Sequence, residues 1–162
     1  MFYYEEVFSA LNKAKVDYVV FGGVAVILYG VHRTTMDLDI MVKMSPENID
    51  KLFLTLKKIG YIPKVPVTAE DFKKEENRKR WQKEKNMEVF PFVHLKDSLK
   101  IVDIFIKDYI KYEQVKKKFI KVGRQRIPVI DMQQLNKLKK IAGRPKDLID
   151  LDELKRLKRM IG

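Results

Sequence analysis

The spacing of apolar positions changes from segment to segment along the chain, and each change marks an element. Phe2, Val7, Phe8, Leu11 and Ala14 recur at helical spacing, which predicts an amphipathic helix over residues 3–15. Asp17 to Phe21 is a β-rich run that Gly22-Gly23 ends, and it predicts the first strand. Val24 to Tyr29 reads as a short apolar helix closed by Gly30. Met36 to Lys43 is the next strand. Ser45-Pro46-Glu47 then offers an N-cap with proline at the first helical position, opening a helix to Lys58 with Ile49, Leu52, Phe53 and Leu56 inward. Two prolines in Tyr61 to Val67 predict an edge strand or an extended connection.

The middle of the chain is its most polar part. Six acids and seven bases lie between Glu70 and Glu88, which predicts a solvated helix over residues 68–85 with little core contact. Thr68 is its N-cap, and Trp81 either stacks on a base or ring of an acceptor or, the commoner role, anchors the helix to the body. Strands are expected at Met87–Val93 and Leu99–Ile106, joined through Lys96-Asp97-Ser98, then a helix around Asp108 to Lys118. A small hairpin, Phe119–Val122 and Gln125–Ile130, turns at Gly123-Arg124. Asp131 caps a helix holding Leu135, Leu138 and Ile141, and Pro145 opens a last helix with Leu148, Leu151, Leu154 and Leu157 inward. Strands and helices mix without strict alternation. The expected class is therefore α/β of the α+β kind: a mixed β-sheet with flanking helices and a C-terminal helical pair. Residues 1–130 would form the core, and residues 131–162 the helical pair packed on it.

Composition narrows this picture. A chain of 162 residues that is 46% hydrophobic can bury a real core. No apolar run approaches a membrane span and the N-terminus lacks signal-peptide grammar, so a soluble cytoplasmic protein is expected. The absence of cysteine excludes disulfides and thiolate metal sites. His32 and His94 stand far apart and do not make a zinc site. A charged fraction of 35% and a net charge of +12 have two readings: the ion-pair surface of a thermophile protein, or a polyanionic partner. Charge alone does not decide between them. Bases are scattered among acids without a basic and aromatic stripe, so extended nucleic-acid binding is not expected. Bases do crowd Lys137–Lys146 and Lys155–Arg159, which leaves a short acceptor such as a tRNA end open.

The candidate chemistry lies in the strands. Asp37-Leu38-Asp39-Ile40-Met41-Val42 sets two carboxylates into an apolar run. Strand side chains alternate, so Asp37 and Asp39 project from one face, about 7 Å apart at Cα. Burying both is costly unless they are paired or share a hard divalent cation that takes oxygen ligands. Asp103 repeats the pattern within Ile101-Val102-Asp103-Ile104-Phe105-Ile106. The plainer alternative is that these acids are solubilising charges on a wet strand face.

Phe21-Gly22-Gly23, a short helix, Asp37-Leu38-Asp39 and a remote Val102-Asp103-Ile104 together resemble the polymerase-β-like nucleotidyltransferase superfamily. They are similar to its small members, the lincosamide nucleotidyltransferases and the abortive-infection nucleotidyltransferase toxins. The resemblance implies transfer of a nucleoside monophosphate from a nucleoside triphosphate, ATP included, to an acceptor hydroxyl with release of pyrophosphate. It implies two Mg2+ (or Mn2+) ions bridged by Asp37 and Asp39, with Asp103 on one ion and able to act as general base. Gly22 and Gly23 would bring backbone N–H groups to the triphosphate. Many relatives carry serine where Gly23 stands, so that phosphate contact is absent here or comes from another group. Arg33 and Thr34 fall where relatives often place nucleotide-binding residues, and Arg33 either binds phosphate or pairs with Asp37 or Asp39. Lys139 to Asp147 resembles the closing Ala-Gly-Arg-x-Lys-Asp segment, which implies that Lys140 and Lys146 grip the triphosphate. Lys146 and Asp147 pairing to cap the last helix is the structural alternative. A small acceptor such as an antibiotic is the first expectation. A toxin-like activity on tRNA or protein, and a non-catalytic RNA- or partner-binding module, are the others.

Overall fold

The computed structural model describes residues 3–107 and 109–161. A seven-stranded mixed sheet runs through them, built from β1 (Tyr18–Phe21), β2 (Asp37–Val42), β3 (Tyr61–Pro63), β4 (Val89–His94), β5 (Ile101–Phe105), β6 (Lys117–Val122) and β7 (Gln125–Ile130). Their order across the sheet is β3-β4-β5-β2-β1-β7-β6. The helices are α1 (Glu5–Lys13), α2 (Gly22–Leu28), α3 (Pro46–Lys58), α4 (Ala69–Lys73), α5 (Glu75–Lys85), α6 (Met132–Ala142) and α7 (Pro145–Ile161). The expected mixed sheet with flanking helices is the fold observed.

Alternation along the strands divides the sheet into two unlike faces. Val20, Leu38, Ile40, Phe90, Phe92, Val102, Ile104, Ile127 and Val129 are all buried on one of them. Against these pack Val7, Phe8 and Leu11 from α1 and Ile49, Leu52 and Leu56 from α3, in one continuous core. Ser45 accepts a hydrogen bond from the Asn48 N–H at 3.3 Å, and Pro46 occupies the first turn, so α3 starts as its sequence predicts. The buried Asn48 amide also receives the Asp17 N–H at 2.8 Å and donates to the carbonyls of Asp17 and Lys43. That side chain locks α3 onto the ends of β1 and β2. The opposite face of the sheet carries Asp37, Asp39 and Asp103.

Four expectations are corrected. Helix α2 begins at Gly22 itself, so the glycine pair forms its first turn and does not precede it. The charged segment is two helices, broken where Lys74 adopts extended geometry, and its contact with the core is substantial. Phe72, Arg78 and Trp81 are buried there, with the Trp81 ring 5.9 Å from Phe90, so Trp81 anchors the segment. Its polarity hid this, because three large side chains suffice to bury one side of a short helix pair. A helix over Asp108 to Lys118 is not found among the described residues: a single 3-10 turn, Tyr112–Gln114, leads into a β6 that already starts at Lys117. Asp108 itself lies outside the described residues, as does Phe2 of the first helical stripe. Finally, Leu148 is 54% exposed, and α7 turns Asp147, Asp150 and Leu154 inward instead. The leucine spacing was legible, but the two aspartates share that helix face and have cations to meet.

Candidate active site

Pairing of β2 with β5 is parallel and sets Asp39 directly beside Asp103, with Asp37 beside Ile101. Antiparallel pairing of β1 with β2 sets Phe21 opposite Asp39, so the start of α2 lies over the same carboxylate. Three acids thus meet at one cleft of about 380 Å³ that also contains Gly22, Gly23, Arg33 and Thr35. Among the described residues no ion pair or hydrogen bond from a cationic side chain reaches Asp37, Asp39 or Asp103. Burial, reinforced by Asp103 and Asp37, pushes the Asp39 carboxyl up to about 7 against the opposing pull of Lys139 and Lys146. Burial and then Asp37 push Asp103 up to about 6, with Lys64 opposing.

Gly22 has φ +69, and a Cβ there would run into the Asp39 carboxylate. The backbone and the acid can approach this closely only because the side chain is missing. At Gly23 a Cβ would lie 2.8 Å from the Thr35 hydroxyl and 3.3 Å from the Arg33 guanidinium carbon. The hydroxyl of Thr35 therefore occupies the space beside Gly23.

A second set of charges forms the far wall of the cleft. Arg33 pairs with Asp150 at 2.5 Å, and so with neither Asp37 nor Asp39. Lys139 lies between Asp147 at 3.1 Å and Asp150 at 2.9 Å. Arg144 donates to Asp147 from Nε at 2.7 Å and from its backbone N–H at 3.2 Å. Burial works against the Asp147 charge, but hydrogen bonds from Arg144 and Lys139 outweigh it and hold the carboxyl below the usual range. Three cations thus meet two buried carboxylates in a connected network, which is how buried charge is tolerated.

Of the residues singled out in the sequence, Asp37, Asp39, Asp103, Gly22, Gly23, Arg33 and Lys146 come together at this cleft. Thr34 and Lys140 do not: both are exposed, and Thr34 only offers its carbonyl to Arg33 Nε at 3.1 Å. Their neighbours Thr35 and Lys139 take the cleft positions. Helical spacing held the signal for Lys139, which lies one turn beyond the inward Leu135, whereas Lys140 is rotated off that face. The partner of Asp147 is also not Lys146 but Arg144 and Lys139.

Whether these residues suit a divalent cation can be judged from the acids themselves. Among the described residues no group of three or more histidine, cysteine or acidic side chains is placed to hold a metal ion as it stands. The donors are all carboxylate oxygens that repel one another and are only partly offset by the more distant Lys139, Lys146 and Lys64, a donor set that fits a hard divalent ion.

A mixed sheet in this order, a helix that begins on two glycines, and acids on neighbouring central strands define a nucleotidyltransferase fold. Solved structures bear this out. Lincosamide antibiotic adenylyltransferase LnuA, solved with lincomycin bound, is 18% identical with a TM-score of 0.60, covering 94% of this chain and 96% of its own. ANT(2")-Ia in complex with adenylyl-2"-tobramycin is 10% identical with a TM-score of 0.58, covering 97% and 86%. An antigenic nucleotidyltransferase-like protein from Paracoccidioides brasiliensis is 14% identical with a TM-score of 0.59, covering 93% and 72%. At these identities the likeness is one of fold. No protein of curated function matches the sequence. The chain belongs to the aminoglycoside-2''-adenylyltransferase family, whose family model matches residues 4–154. No helix among the described residues is long and apolar enough to cross a membrane.

Proposed function

We propose that this protein transfers a nucleoside monophosphate, AMP from ATP, to a hydroxyl of a small antibiotic-like acceptor with release of pyrophosphate. The observation that carries the reading is the meeting of Asp37, Asp39 and Asp103 on one sheet face beneath the glycine start of α2. Two divalent ions, Mg2+ or Mn2+, would be held by these three acids and would neutralise charge on the phosphate and acceptor oxygens. The N–H groups of Gly22 and Gly23 would meet the phosphates, with the Thr35 hydroxyl, which lies beside Gly23, offering a further contact. Arg33, Lys139 and Lys146 present positive charge to the phosphate tail from the far wall, the first two held in place by Asp150 and Asp147. Asp103, beside the acceptor, can accept the proton of the acceptor hydroxyl. The adenylyl and antibiotic assignments rest on the family and on what LnuA and ANT(2")-Ia bind.

Calorimetry with ATP in the presence and absence of Mg2+, followed by pyrophosphate release across aminoglycosides and lincosamides, tests this reading. Metal-dependent binding that Asp39→Asn abolishes, with turnover on at least one hydroxylated acceptor, is the expected result. ATP binding that ignores both metal and Asp39→Asn would remove the carboxylates from the mechanism.

A further inference from the structure

The hairpin of β6 and β7 carries a surface that the nucleotide cleft does not use, and its register assembles the basic and aromatic row that was not expected from the linear sequence. Residues 111–126 hold seven lysines and arginines against the single acid Glu113, which is half of the chain's net charge of +12. Strand alternation and register gather part of that charge. Lys117, Phe119 and Lys121 point to one side of β6, and Arg126 lies opposite Lys121 on the same side. Phe119, in the middle of this row, is 54% exposed. The Arg126 guanidinium stands 4.9 Å from its ring centroid, and the Lys117 ammonium 4.5 Å from that of Tyr112. Register also ties this side of the hairpin to the carboxylates. Val20 pairs with Val129 and Lys117 with Ile130, so Phe21, Ile130 and Lys117 share the sheet face that bears Asp39.

Lysines on an outer strand have a plain role, since they repel the edge of another sheet. Guarding the edge does not account for Phe119, whose exposed ring offers the apolar contact that such guarding is meant to avoid. Bases surrounding an open aromatic ring suit a ligand that brings both phosphates and flat rings. Stacking on Phe119 requires an unpaired base, and RNA is the polynucleotide that commonly presents unpaired, splayed segments. An acidic polypeptide would satisfy the cations but leave the ring without a partner of its own. We infer that the β6–β7 hairpin binds single-stranded RNA, with one base stacked on Phe119 and the flanking phosphates on Lys117, Lys121 and Arg126. Strands of this length span about 20 Å, room for about four nucleotides.

Fluorescence anisotropy with a labelled twelve-nucleotide oligouridine, titrated at several salt concentrations, tests the inference on the whole protein. Three neutralised phosphates give a log–log salt slope of about −2. Phe119→Ala should weaken binding about tenfold with the slope unchanged, and Phe119→Leu, which keeps apolar bulk, should weaken it comparably. Lys121→Gln with Arg126→Gln should flatten the slope by about 1.4. Lys158→Gln with Arg159→Gln, in the other basic cluster, should change neither quantity. Melting curves confirm that these exposed substitutions leave the fold intact. Wild-type affinity in both Phe119 variants overturns the inference, as does equal competition by double-stranded RNA, inorganic polyphosphate or polyglutamate. None of these residues touches the acids or the phosphate wall, so adenylyl transfer to a small acceptor is read separately and stands or falls independently.

Discussion

Lys139 and Lys140 are adjacent and chemically identical, yet their surroundings differ entirely. Lys139 is buried between Asp147 and Asp150, whereas Lys140 is exposed. Removing Lys139 leaves two buried carboxylates short of a cation, a change that costs about 3–5 kcal/mol. Lys139→Met should lower unfolding free energy by that amount in urea titrations, while Lys140→Met should stay within about 0.5 kcal/mol of wild type. Equal effects of the two substitutions would contradict the network. The chemistry of single residues was legible in the sequence where an acid interrupts an apolar strand, as at Asp37, Asp39 and Asp103. It was less so for cations: in a run such as Lys139-Lys140 the helical spacing from Leu135 marks which amine turns inward, but not which carboxylates it meets. Asp150 was hidden because both of its partners, Arg33 and Lys139, come from other elements.

At the scale of elements, helix α2 and strand β2 are fitted to each other at Gly22. Its left-handed φ of +69 disfavours a side chain, and the Asp39 carboxylate fills the space one would need. Gly22→Ala should therefore displace Asp39 or lift the first turn of α2, and ATP affinity measured by calorimetry with Mg2+ should fall at least tenfold. Retained affinity would show that α2 starts elsewhere in solution. Most elements were readable from period and caps. Ser45-Pro46 opened α3 where expected, Thr68 closed a capping box with Asp71, and Asp131 capped α6 through the Gln134 N–H at 2.8 Å. The stretch after β5 was not readable, since Lys116 to Phe119 suits a polar helix as well as an edge strand. Pairing with β7 decides it, and pairing is a long-range property.

For the molecule as a whole, the cleft sets two carboxylates whose protonation is favoured by folding. Asp39 and Asp103 titrate near 7 and 6 in the folded chain, above their ordinary value of 3.8. The folded state therefore binds protons more tightly than the unfolded chain. Its stability is greatest with both acids protonated and declines as the pH rises through those values. Asp147 runs the other way and loses its contribution only below the ordinary carboxylate range, so the comparison is cleanest between pH 8 and pH 5. Metal-free protein should melt at a higher temperature at pH 5 than at pH 8, with about 2–4 °C for each kcal/mol recovered. Asp39→Asn should remove most of that difference, and saturating Mg2+ should shrink it by raising stability at pH 8. A melting temperature that climbs with pH over this range would contradict the arrangement.

Arg33 meets Asp150 across 117 positions of the chain, and Lys139 finds both of its carboxylates on α7. This has a consequence for synthesis. All seven strands and the three clustered acids are synthesised before Pro145–Ile161. Without that last helix Arg33 and Lys139 have no carboxylates to set their direction. The cleft is thus completed by the last described element to be translated, and a prematurely terminated chain would present the acids without the opposing wall.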